Sequence, residues 1–87
     1  MKSDIEEERR KRIKLSVAAY AYELRDTSIM SDSQYDALAL EINPSINTGN
    51  EELDSFFRGE FEAYTGSWIR HHPDLGGIIN IYERYFT

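Results

Sequence analysis

The chain has 87 residues, 40% apolar and 13% aromatic, with one Trp, six Tyr and four Phe; this is the composition of one packed domain with a single modest core and no room for a separate catalytic domain. Cys is absent, which excludes disulfides, thiolate metal sites and a Cys nucleophile. The net charge of −6 is unevenly spread: residues 1–14 hold six basic against four acidic side chains and the other 73 hold four against twelve, so the body repels nucleic acid.

In residues 1–14, DIEEE runs into RRKRIK and sets Glu6, Glu7 and Glu8 each four positions before Arg10, Lys11 and Arg12. That spacing predicts a solvated, self-paired helix start rather than a phosphate-binding patch. No apolar segment of the export type follows it, and the uncharged runs 15–22, 42–50 and 75–82 fall short of the ~20 residues a membrane helix needs. A cytoplasmic location is expected.

From Ile13 the pattern turns apolar. Ile13, Val17, Tyr20 and Leu24 keep helical spacing, while Leu15, Ala18, Ala19 and Tyr22 widen the stripe, so this helix packs on more than one side. Its small residues Ala18, Ala19 and Ala21 mark where a neighbour approaches closely. Ser31 and Gln34 form a capping-box pattern with Asp32 in the first turn, and predict a helix over 32–42 with Tyr35, Leu38, Ala39 and Ile42 on its apolar face. Asn43 and Pro44 stop it, and the short connection TSIM implies an antiparallel hairpin.

The stretch NPSINTGN reads as a loop, and Asn50 ahead of Glu51 and Glu52 as the cap of a third helix. Leu53, Phe56, Phe57, Phe61 and Tyr64 are expected in the core, with Gly59 bending or ending the helix. After the break at Thr65, Gly66 and Ser67, Trp68 and Ile69 head a short helical turn. Pro73 and Asp74 open a last helix bearing Leu75, Ile78, Ile79, Tyr82 and Phe86. Gly76 and Gly77 there suggest a close backbone contact or a mobile start. The expected fold is all-α: one small helical domain over 1–87, with a charged start (1–14), an antiparallel hairpin formed by a long first helix and a second one (15–42), and two or three short helices (51–86).

Phosphate loops, zinc-ligand spacings and a nucleophile with a paired base are all missing. His71 and His72, the only histidines, point apart in a helix, and Pro73 holds His72 extended, so neither a catalytic set nor a metal site is expected. The hairpin is chemically richer. Tyr22 and Asp26 lie four apart, and Asp32, Tyr35 and Asp36 share a face, which brings two tyrosines and three carboxylates toward one turn. Asp26 also meets the negative end of the first helix and needs compensation, which a turn hydrogen bond supplies.

These residues, YAYELRD at 20–26 followed by DSQYDAL at 32–38, resemble the Tyr-x-Tyr-His-x-x-Asp and Asp-x-x-Tyr-Asp-x-Leu pattern of the N-terminal Ia domain of NAD-dependent bacterial DNA ligases, with Glu23 where that pattern has His. The resemblance covers residues 15–42. It implies a helical hairpin that clasps the nicotinamide mononucleotide (NMN) half of NAD, with Tyr22, Asp26, Asp32, Tyr35 and Asp36 as the cofactor-binding positions. An unpacked Tyr22 or Tyr35 is what such a ligand face requires, whereas packed rings imply a structural role.

The acidic body, the missing catalytic set and a resemblance confined to the hairpin lead to the expectation of a non-enzymatic interaction protein of the phage- or prophage-encoded kind. It would bind and inhibit a host defence or nucleic-acid-processing protein through an acidic surface that occupies a basic groove. Two alternatives stand beside it: a free-standing NMN or NAD binding module, and nucleic-acid contact through the basic N-terminal helix, which added salt would weaken steeply.

Overall fold

Residues 4–86 are described by a computed structural model; Lys2 of the charged start lies outside them. Four α-helices and one 3-10 turn follow one another with no strand among the described residues: α1 (Asp4–Leu24), α2 (Asp32–Glu41), α3 (Glu51–Gly59), the 3-10 turn (Ser67–His71) and α4 (Leu75–Phe86). None of these helices is long and apolar enough to cross a membrane.

α1 is the axis of the molecule. Its 21 residues, at roughly 1.5 Å each, match the longest dimension, 31 Å, so it lies along the body and does not project from it. α2, the 3-10 turn and α4 all pack directly on it. Residues 15–21 are buried without interruption, which a helix achieves only when enclosed on every side. Ala18, Ala19 and Ala21 are in this run, and their small side chains let the neighbouring elements approach.

α2 runs antiparallel to α1: Lys11 near the start of α1 pairs with Glu41 at the end of α2 at 3.5 Å. The predicted capping box is complete, with the Gln34 amide donating to the Ser31 hydroxyl at 3.1 Å and the Ser31 amide donating to Gln34 Oε1 at 2.9 Å. Asn50 caps α3 through the Leu53 amide at 3.1 Å, and α3 ends at Gly59. Its Phe56 and Phe57 join Phe61, Trp68 and His72 in one aromatic cluster, while Tyr20 meets Tyr82 of α4 edge to face at 5.3 Å. Asp74, not Pro73, is the residue that opens α4, accepting the Gly77 amide at 3.3 Å. A Cβ on Gly77 would come within 2.5 Å of that carboxylate, whereas Gly76 has nothing within 4 Å; the close contact expected here is therefore with a capping side chain and not with backbone.

Several packing expectations are corrected. Ile13, Tyr22, Leu24 and Phe86 are exposed, and Tyr64, expected in the core, is 92% exposed. α3 has already ended when the chain reaches Tyr64 in a turn, so helical spacing from Phe57 no longer applies. The charged start is also not wholly solvated, because Glu8 and Arg12 are buried. Arg12 Nε donates to Glu8 and its Nη1 to Asp54, both at 2.7 Å, while Nη2 reaches the carbonyls of Asn43 and Ile46 at 3.0 and 3.1 Å. Glu8 takes the Asn43 amide at 3.1 Å, and Asp54 takes the Thr48 amide and hydroxyl at 2.9 and 2.7 Å. Arg9 donates to the Thr48 carbonyl, and Gly49 makes the following turn at φ +90°, a conformation suited to glycine. This polar hub ties the 43–50 loop to α1 and α3. Among the described residues it leaves no buried side-chain polar atom without a partner.

Candidate functional site

The end of α1 and the start of α2 flank a cavity of about 310 Å³. Ala18 and Ala19 form part of its lining, because small residues on the inner face of α1 leave space. Tyr22 stands one turn further along the same helix, and Ser28, Ile29 and Met30 of the connection close one end. α2 contributes Asp32, Tyr35 and Asp36, at the i, i+3 and i+4 positions that share a helix face. The remaining wall is Tyr64, Thr65 and Gly66.

Four of the five residues singled out in the sequence therefore meet at one cavity. Asp26 does not line it. It is exposed and sits just beyond α1 at φ +51°, a left-handed conformation that Asp tolerates better than most residues, while the Thr27 amide closes back on the Ala21 carbonyl at 3.0 Å. Asp26 therefore belongs to the turn that ends α1 and not to the cavity wall. The two tyrosines differ: Tyr22 is 63% exposed and presents its ring to solvent, whereas Tyr35 is half-buried and donates its hydroxyl to the Thr65 carbonyl at 3.3 Å. The Trp68 indole donates to that same carbonyl at 2.8 Å. Burial, reinforced by the charges of Glu23 and Asp36 and offset in part by Trp68, pushes the Tyr35 phenol up to about 12, so it stays a neutral donor at working pH.

Glu23 lies behind this wall. Arg70 of the 3-10 turn donates to its carbonyl at 3.3 Å and approaches its carboxylate at 3.7 Å. A Cβ on Gly66 would touch both Glu23 and the Tyr35 hydroxyl at 3.4 Å. The residue at the position of the resembled histidine thus pairs with the 3-10 turn, and it is Tyr35 that bonds the 64–66 segment through the Thr65 carbonyl.

Sequence reasoning missed that segment. Thr65 and Gly66 were legible only as a break, and the signal that could have placed them, a turn sequence beside an aromatic outside any helix, is too local to show what it packs against. Among the described residues no group of three or more His, Asp or Glu is placed to hold a metal ion. His72 is buried edge to face against Phe56 at 5.4 Å and accepts the Asp74 amide through Nδ1 at 3.0 Å. Of the basic residues at the start of α1, Arg12 is buried, Arg9 binds the Thr48 carbonyl and Lys11 binds Glu41.

Comparison of the chain with protein-family models, with curated proteins and with solved structures found no match.

Proposed function

We propose that the protein is a non-catalytic binding module whose hairpin cavity takes a nicotinamide mononucleotide. The observation that carries this reading is the exposed Tyr22 ring standing at a cavity shared with Tyr35, Tyr64, Asp32 and Asp36. A nicotinamide ring attached to ribose is a planar cation. Aromatic faces attract such a ring and carboxylates complement its charge. A volume of about 310 Å³ is at the lower end of the roughly 300–1,000 Å³ typical of ligand pockets. That size suits a mononucleotide, and the acidic lining directs its phosphate outward to solvent. The resemblance of the hairpin to the NMN-clasping ligase domain points to the same ligand.

Calorimetric titration with NMN and NAD tests this. A saturable heat with NMN that disappears in Tyr22→Ala is expected, and no heat at millimolar NMN contradicts the reading.

A second reading is favoured by the charge distribution. With twelve acidic against four basic residues after Lys14, the body suits an inhibitor, phage- or prophage-encoded, that covers the basic groove of a host defence or nucleic-acid-processing protein. A partner released by moderate salt supports it, and recovery of no partner at low salt opposes it.

A further inference from the structure

A second, larger hollow lies on the other side of the hairpin connection, with a volume of about 740 Å³. Its two long walls are helix faces. α1 supplies Arg10, Ile13, Lys14 and Val17, and α2 supplies Gln34, Ala37, Leu38 and Glu41. Each set follows i, i+3, i+4, i+7, the spacing of one continuous helix face. Ile81 and Phe86 of α4 complete the apolar lining, and Ile13 and Phe86 remain 45% and 49% exposed. Two parallel-sided helix faces with apolar residues between them form the groove into which a third helix packs.

The charges at its rim identify the kind of helix. Arg10 and Lys14, one turn apart on α1, have no ion-pair partner among the described residues, while Glu41 across the groove is paired with Lys11. A molecule of net charge −6 thus borders this apolar groove with positive charge that has no ion-pair partner among the described residues. A second copy of the chain does not supply the complement, because its most acidic helix, α2, with three carboxylates and no basic residue, already commits Tyr35, Leu38 and Ala39 to the core of its own hairpin. We propose that the groove between α1 and α2 is a docking site for an amphipathic helix of a partner protein, whose apolar i, i+3, i+4, i+7 stripe is flanked by Asp or Glu. This site is separate from the nucleotide cavity and does not depend on it.

The test uses three synthetic amphipathic peptides that share one leucine stripe and differ only in their flanking residues, Glu, Gln or Lys, titrated by fluorescence anisotropy against the whole chain. Affinity falls in the order Glu, Gln, Lys, by about tenfold from the first to the last, a step of about 1.4 kcal/mol. The double variant Arg10→Glu, Lys14→Glu reverses the order, and Ile13→Glu weakens all three peptides by about tenfold or more; circular dichroism checks that both variants keep their helices. Tyr22→Ala leaves peptide binding unchanged, so failure here and failure of the nucleotide reading are told apart. Absence of binding by every peptide, equal binding of the Glu and Lys forms, or self-association of the chain that Ile13→Glu disperses overturns the proposal.

Discussion

Arg12 is 4% exposed and uses a planar fork of donors to join Glu8, Asp54 and two loop carbonyls, with the Phe57 ring 4.9 Å beneath its guanidinium. Removing one member of such a group leaves the others buried without compensation, at a cost of about 3–5 kcal/mol. Arg12→Met is therefore expected to lower the free energy of unfolding in urea by that amount. Arg12→Lys recovers little of it, because a compact ammonium does not span the fork; a loss under about 1 kcal/mol contradicts the role given to the hub. The Glu8 and Arg12 pair was legible from its spacing. Its burial was not, because Asp54 is 42 positions from Arg12 and no local pattern announces the meeting. Two buried groups make the same molecule acid-sensitive. Burial pushes the His72 imidazole below its ordinary value, with the Asp74 charge opposing, so as pH falls below about 6.5 the unfolded chain takes up the proton first and stability declines toward the folded value. Burial also works to raise the Asp54 carboxyl, yet the Thr48 and Arg12 hydrogen bonds hold it below its ordinary value. Its contribution is present above about pH 3.9 and is lost as pH falls through the lower folded value. Urea midpoints measured from pH 7 to 5 should therefore decline in the wild type and stay flatter in His72→Asn, whose amide oxygen can still accept the Asp74 amide; equal slopes contradict the His72 assignment.

At the scale of elements, helix ends were readable and helix faces less so. The Ser31 and Gln34 box and the Asn50 cap depend on residues within one turn, and both stand as the spacing predicts. Ser31→Ala should cost about 1 kcal/mol, and because α2 carries Asp32, Tyr35 and Asp36, amide exchange should accelerate over 32–36 more than over α4. Uniform acceleration would show that α2 does not open on its own. The faces of α1 were harder to read. Where a helix is enclosed on all sides, as over 15–21, no single stripe describes it, and Ile13 and Leu24 at its margins are left exposed although they keep the period. Tyr64 has a different cause: it follows the end of α3, so its register with Phe57 is a coincidence of numbering.

For the whole molecule, the hairpin connection divides two concave surfaces, and Ile29 and Met30 line both. Fold class and hairpin followed from period, caps and breaks, because those act locally. The cavity needed in addition the return of residues 64–66 to the hairpin, where Tyr35 bonds the Thr65 carbonyl and Arg70 of the adjoining 3-10 turn reaches Glu23, and no local pattern announces contacts so far apart in the chain. The amide ¹H–¹⁵N shift titration with NMN tests the central claim most directly. The expected result is saturable shifts over 18–22, 28–36 and 64–66, absent from α3 and lost in Tyr22→Ala. No shift at millimolar NMN, or shifts gathered elsewhere on the molecule, would contradict a nucleotide site in the hairpin.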